Sequence, residues 1–322
     1  MKRLLIVSIL AVLTFAVGGC NKGKISNPLE PSNVYLEPSN VYPDPSNSNS
    51  PGQDESLYEW SPYVVVHTPG DALSAYQVAI PELMATGALR GVRVGIIKGE
   101  GRNIVNYWLA STGLDVLWIF DNYFLFEPDI EAAVDQAMAL YPGIRYLQIG
   151  NEATTIIPRN EPQISIEMYM NVLKRIYNHV QARYSNTILV TQSTFGSGDH
   201  GSSELERMIE LGLREMSPSK LIVGMNVYSL STASNYSHVI NNSLRGYRIW
   251  VTETGTTNPD EHIRYVRDVY PVLRNNLRAE RIYWYCLYCG DSGPDVGFGL
   301  IKNLQGQSFW SSPLYNLLAG RR

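Results

Sequence analysis

The sequence predicts a single (β/α)8 TIM barrel, and three observations predict it. Residues 57–322 are long enough for one large domain of the size usual for that fold. Across them eight short apolar runs rich in β-branched and aromatic residues alternate with longer segments of helical period. The runs are almost continuously apolar, which implies burial on both faces, as in a parallel sheet clothed by helices.

The strand candidates, in order, are "YVVVH" from Tyr63, "VRVGII" from Val92, "VLWIFD" from Val116, "RYLQIG" from Arg145, "ILVTQS" from Ile188, "LIVGMNVY" from Leu221, "IWVTE" from Ile249 and "IYWYCLY" from Ile282. The helical period is plainest over 165–184, where Ile166, Tyr169, Leu173, Val180 and Tyr184 share one face. Further helices are expected over 73–87, 103–112, 130–141, 203–213, 233–244, 260–276 and 308–318. Eight strand-then-helix units favour a closed barrel over an open doubly wound sheet. No glycine-rich phosphate loop follows the first strand, so no nucleotide cofactor is expected.

Ahead of the barrel lie two other kinds of sequence. Residues 1–19 begin with Lys2 and Arg3, continue through an apolar stretch to Val17 and end in small residues, which is the pattern of a secretory signal. The "VGGC" that follows resembles the lipobox of bacterial lipoproteins, which implies acylation of Cys20 and anchoring to membrane lipid. The cell envelope is then the expected location. The lack of Asp after Cys20 favours the outer membrane, by resemblance to a bacterial sorting rule. Residues 20–56 turn to Pro, Ser and Asn and repeat "EPSNVY"; such a segment has too little apolar surface to offset its ordering entropy and is expected to be a flexible tether.

Composition removes several classes of function. The formal net charge is −4 and no basic cluster is present, which argues against nucleic acid as a partner. The five histidines are His67, His179, His200, His238 and His262, scattered without the spacing of a metal-dependent barrel hydrolase, so no metal is expected. Apart from Cys20 the cysteines are Cys286 and Cys289, in "CLYC". An exported domain could join them, but two packed or free thiols in a strand is the preferred expectation. The domain is expected to be monomeric.

Chemistry is to be sought where apolar strands end in acids. The fourth run closes as "YLQIGNEATT" and the seventh as "IWVTETG", placing Glu152 and Glu253 at the C-terminal ends of strands that face each other across the barrel mouth. That end of the barrel is where such enzymes build their sites. By the period-two rule Ile249, Val251 and Glu253 should face the interior, with Trp250 and Thr252 turned outward. Because Asn151 and Glu152 are adjacent, the chain must end its pleat near Gly150 to aim both at the mouth. Two carboxyls converging on one bond suit glycoside hydrolysis.

The "GNE" and "TE" at those two strand ends resemble the clan A glycoside hydrolases, retaining barrel enzymes that include family 5 and family 39. The resemblance implies Glu152 as acid/base, Glu253 as nucleophile and Asn151 on the sugar 2-hydroxyl, with a β-linked glycan as substrate. It further matches Arg93 in "GVRVGI" to a strand-two arginine beside the nucleophile. Tyr228 in "GMNVYS" matches a residue contacting the nucleophile, and Trp284 in "IYWYCLY" a tryptophan stacking on a sugar; "GFGLI" from Gly297 resembles the glycine-rich return after it. His67, Asp121 and Asn122 end strands one and three, where sugar hydroxyls could bind. Each also has a plainer reading: either glutamate could cap a helix or pair with an arginine, Arg93 could be an interior ion-pair partner, Tyr228 and Trp284 could be packing, and His67, Asp121 and Asn122 could cap loops. The other function considered is a non-catalytic carbohydrate-binding lipoprotein on the same barrel. Connections after strands one to four and six are expected to be short, with the long loops after strands five ("FGSGDHGSS") and eight ("CGDSGPDVGFG").

Overall fold

The computed structural model describes residues 63–154, 162–195 and 199–321. The signal sequence, Cys20 and the 20–56 tether lie outside the described residues, as does part of the loop after strand five. Among the described residues no helix is long and apolar enough to cross a membrane.

The strands are β1 (Tyr63–Val65), β2 (Gly91–Ile96), β3 (Asp115–Phe120), β4 (Tyr146–Ile149), β5 (Ile188–Val190), β6 (Thr194–Phe195), β7 (Leu221–Asn226), β8 (Arg248–Thr254) and β9 (Ala279–Trp284). Neighbours pair in parallel around the ring, and β1–β9 and β5–β7 pairings close it. β5 and β6 are two pieces of one barrel strand, since both pair with β7. The architecture is therefore an eight-stranded (β/α)8 barrel.

The helices are α1 (Leu73–Ala85), α2 (Ile104–Ser111), α3 (Ile130–Leu140), α4 (Ile166–Arg183), α5 (His200–Glu210), α6 (Leu230–Ser243), α7 (His262–Leu277) and α8 (Pro313–Leu318). Several begin where a short polar side chain caps the first turn: Asn103 accepts from the amides of Val105 and Asn106, Asp129 from Ala132, Ser165 from Met168 and Ser229 from Thr232. In α4 the buried face is Tyr169, Met170, Val172, Leu173, Ile176 and Val180.

Four expectations need correction. The segment expected to be one helix over 308–318 is a strand followed by a short helix: β11 (Ser308–Ser311) pairs antiparallel with β10 (Ile301–Gln305), and only α8 is helical. Gly306, at φ +60°, makes the hairpin turn, while Pro313 at the start of α8 marks where helix begins. Cys286 and Cys289 are joined as a disulfide. In a continuing strand residues three apart would stand about 10 Å apart, but β9 ends at Trp284 and the turn beyond brings their Cα atoms to 5.9 Å. The connection after β4 is long, running from Gly150 to Ser165.

The fourth correction is the pleat of β8. The barrel interior is filled by Val65, Leu117, Tyr146, Val190, Ile222, Trp250 and Tyr283, whereas Ile249 and Val251 belong to the layer between sheet and helices. Trp250 points inward, the reverse of the expectation. Glu253 nevertheless reaches the interior because β8 is bulged: Met225 of β7 stands opposite Val251, but Asn226 stands opposite Glu253, so Thr252 is the extra residue.

Candidate active site

The two strand ends are reshaped by backbone conformations that the pleat alone would not give. β4 stops at Ile149 and the chain turns at Gly150, φ +75°. A side chain there would also crowd Asn122 and Leu125, with a Cβ at 3.0 Å from Asn122 Oδ1. Glu152 itself takes φ 48°, a left-handed conformation costing a non-glycine residue roughly 1–2 kcal/mol. Two sets of hydrogen bonds hold it. Asn122 accepts from the Asn151 amide at 2.8 Å and donates to the Asn151 carbonyl at 2.9 Å, while the Glu152 amide donates to the Ser193 carbonyl at 3.0 Å. Consecutive residues thus both point into the barrel mouth.

Arg93, on β2 and 1% exposed, is the hub. Its Nη1 donates to Glu253 Oε1 at 2.5 Å, its Nη2 to Asn151 Oδ1 at 2.7 Å and its Nε to Gln148 Oε1 at 2.8 Å. Glu253 Oε2 accepts from the Tyr228 hydroxyl at 2.8 Å and from Asn226 Nδ2 at 3.0 Å. The same Asn226 nitrogen donates to Glu152 Oε1 at 2.6 Å. Because one atom touches both acids, the two carboxylate oxygens it joins are no more than 5.6 Å apart. Both glutamates are buried, and Arg93 is the cation paired with Glu253.

Aromatic groups rim the pair. Tyr285, which follows β9, meets His67, Tyr228 and Phe298 edge-to-face, at centroid distances of 5.5, 6.5 and 5.5 Å. Burial, reinforced by the charges of Glu253 and Glu152, pushes the Tyr228 phenol well above its ordinary range. Burial and Glu253 likewise push the Tyr285 phenol up. Both remain hydrogen-bond donors at neutral pH. His67 is wetted by solvent yet closely ringed by protein; that crowding lowers its imidazole, although the charge of Glu253 pulls the other way.

The structure therefore gathers Arg93, Asn151, Glu152, Tyr228 and Glu253 at one point, with His67 on the rim and Asn122 behind as the clamp on Asn151. It does not gather Asp121 or Trp284. Asp121 caps the short helical turn Asn122–Phe126 by accepting from the Tyr123 amide, and burial raises its carboxyl. Trp284 is 1% exposed on the outer wall, packed on His262 and Tyr265 of α7, with its indole N–H on the Phe298 carbonyl at 2.9 Å. It presents no face to a sugar. Its neighbour Tyr285 holds the position that sequence reasoning gave to Trp284.

Sequence reasoning also passed over Asn226, Gln148 and Ser193. Two carried a signal: Gln148 is a lone amide within an apolar run, and Asn226 lies two residues before Tyr228 on the same strand end. A buried polar side chain in a barrel strand needs partners, and partners gather at sites. Among the described residues His67, Cys286 and Cys289 place a nitrogen and two sulfurs within 4.8 Å of one another, a soft-metal constellation. With the sulfurs bonded to each other they are not thiolates, so the disulfide form offers only the imidazole.

No family model and no curated sequence matches the chain. Solved structures do. The β-mannanase from Thermomonospora fusca superposes with a TM-score of 0.53 at 16% identity, covering 80% of this chain and 88% of that one. The catalytic domain of GH30 xylanase C from Talaromyces cellulolyticus gives 0.55 at 11% identity, covering 80% and 74%. A calcium-binding mutant of Bacteroides uniformis β-glucuronidase 2 gives 0.55 at 14%, covering 81% of this chain but only 34% of that one. At such identities the likeness carries the architecture, and the chain is similar in fold to the (β/α)8 barrels on which these glycosidases are built.

Proposed function

We propose that the domain is a retaining glycoside hydrolase acting on a β-linked poly- or oligosaccharide. The observation that carries this is the pair Glu152 and Glu253, whose Oε1 and Oε2, respectively, lie within 5.6 Å of each other through their common donor. Retaining enzymes hold their carboxyls roughly 5–5.5 Å apart, whereas inverting enzymes leave about 6.5–9.5 Å for a water. The mannanase, xylanase and β-glucuronidase with similar barrels support a glycan as the substrate class.

In this reading Glu253 attacks the anomeric carbon as the glycosidic C–O bond breaks, and Glu152 delivers its proton to the departing oxygen. Glu152 then takes a proton from water, whose oxygen attacks the anomeric carbon and frees Glu253. Arg93 balances the charge on Glu253 and, through Asn151, aligns the amide that meets the sugar 2-hydroxyl. Tyr285 and His67 form the wall against which the sugar lies. Exposed Tyr123 and Phe126, on the turn directly after the Asn122 clamp, extend an apolar ledge for further sugar units. For the chain as a whole we propose a monomeric lipoprotein held through acylated Cys20 at the bacterial cell envelope, the outer membrane in particular.

The test is release of reducing ends by the domain on a panel of β-linked glycans, beside Glu152→Ala and Glu253→Ala. Release by the wild type that is lost in both variants is the expected result. Glycan binding with no release from any member of the panel would move the assignment to a carbohydrate-binding protein.

A further inference from the structure

The hydrogen bonds behind the two glutamates close into a ring in which Arg93 donates on both sides and Glu253 accepts on both sides. An arginine only donates, so the Arg93 Nε–H fixes Gln148 Oε1 as acceptor and leaves Gln148 Nε2 to donate to Ser193 Oγ at 2.8 Å. Ser193 then donates to Thr252 Oγ1 at 2.6 Å, and Thr252 to Asn226 Oδ1 at 3.0 Å, with the Met225 carbonyl also at 3.0 Å from that hydroxyl. Two carboxylate oxygens on one side and a hydroxyl on the other place the nitrogen of the Asn226 amide toward the acids. Its Nδ2 carries two hydrogens, and the two acceptors are Glu152 and Glu253. Glu253 also accepts from Arg93, which closes the ring.

We propose that Asn226, oriented by this ring, is a positioning residue that couples the two carboxyls and times the change of Glu152 from acid to base. The proposal rests on the glycosidase reading above and extends it. While Glu152 is the acid, the Asn226 N–H occupies its Oε1, so the transferable proton sits on Oε2 and points away from Asn226. While both groups are charged, the amide hydrogens lie between them and offset their repulsion. Once Glu253 is esterified its oxygens accept weakly, and the Asn226 hydrogen bond then favours the ionised form of Glu152 alone, the form that deprotonates water. Residue 226 therefore acts on both half-reactions without touching the breaking bond.

Other charged and titratable groups face the pair from the elements around it. Arg93 comes from β2, His67 from beyond β1, Tyr228 from beyond β7 and Tyr285 from beyond β9; Asp295 acts on both His67 and Tyr285. From α6, Tyr236 senses both Glu152 and Glu204, the latter on α5. Burial keeps the phenols protonated and His67 neutral. Burial also pushes the Glu204 carboxyl up to about 7, so the comparison is made in a Glu204→Gln background.

The experiment measures pH profiles of kcat/KM and kcat for Asn226→Ala, Asn226→Asp and Thr252→Val in that background. The substrates are aryl glycosides of the sugar that the wild type cleaves, with good and poor leaving groups. Asn226→Ala is expected to move the alkaline limb of kcat/KM up by about one pH unit and to lower kcat on the good leaving group, where deglycosylation limits, by about 10²-fold. Asn226→Asp, which puts a third charge between the acids, moves the limb further. Thr252→Val, which frees the amide to turn, moves it in the same direction by less. A folded Asn226→Ala whose limb stays within about 0.2 units of the parent contradicts the proposal, since a purely structural role would change stability or KM and leave the limb in place. If the wild type cleaves nothing, it is the glycosidase reading that fails. The coupling is then read from carbon-13 titrations of the glutamate carboxyls in the free protein, where an unchanged Glu152 midpoint in Asn226→Ala overturns it.

Discussion

Arg281 and Arg93 sit at opposite ends of one barrel interior, each buried and each paired with a carboxylate. Arg281, near the N-terminal ends of the strands, donates to Asp115 at 2.6 Å and lies 4.3–4.8 Å from the rings of Trp250, Tyr146 and Tyr63. It is a cation wrapped in aromatic faces, plugging the bottom. Among the described residues no ring lies over Arg93; each of its three donor nitrogens meets a different side chain, and those side chains belong to the acid pair and its supports. A buried arginine-carboxylate pair is therefore no marker of a site by itself. What separates the two is that the top pair's hydrogen bonds lead on through Asn226 to a second buried carboxyl, while Asp115 at the bottom is 34% exposed and stands 4.0 Å from the exposed Arg145.

The largest effect expected from this contrast is on activity. Glu253→Gln should abolish glycan cleavage by about 10⁴-fold or more, and should also lower thermal stability because it leaves the buried Arg93 without its carboxylate. Arg93→Met should come close to it in kcat. Arg281→Met should act on stability alone: about 2–4 kcal/mol lost in chemical denaturation, chiefly from the aromatic faces it leaves, since Asp115 is 34% exposed and keeps Arg145 nearby, with kcat of the folded fraction within about twofold of the parent. Equal losses of activity at both arginines would erase the distinction.

A smaller effect comes from His262, which is fully buried with its Nε2 near the Thr256 and Gly297 carbonyls. Burial lowers its imidazole to about 4, so the folded protein keeps it neutral where the unfolded chain would protonate it. Stability should accordingly fall as pH drops from about 6.5 to about 4, by roughly 2–3 kcal/mol, and His262→Gln should flatten that part of the stability curve. Smallest is Gly150→Ala. Its positive φ and the crowding by Asn122 should cost about 1–2 kcal/mol, together with a loss of kcat from a displaced Asn151 and Glu152, read as a fall in Tm beside the kinetic change.

The strands and most helices were legible because burial on both faces and helical period are written in composition, and the barrel then said which ends of the strands mattered. Phase was not legible. Nothing in "IWVTETG" marks Thr252 as the extra residue of a bulge, because a bulge is an event between two strands, and so Trp250 was placed outside and Glu253 inside for the wrong reason. The same uncertainty of one residue put Trp284 at the mouth in place of Tyr285. The "GNE" turn was legible because Gly150 announces the conformation it allows. Asn226 was missed because its importance lies in what it joins, and two acids on β8 and beyond β4 meet only after the ring has closed.

The central claim is that Glu152 and Glu253 act on one bond by double displacement. The direct measurement is the anomeric configuration of the first product, followed by proton NMR as the wild type cleaves whichever β-glycan of the panel it accepts. The account predicts that the β anomer appears first and mutarotates afterwards; first appearance of the α anomer would contradict it.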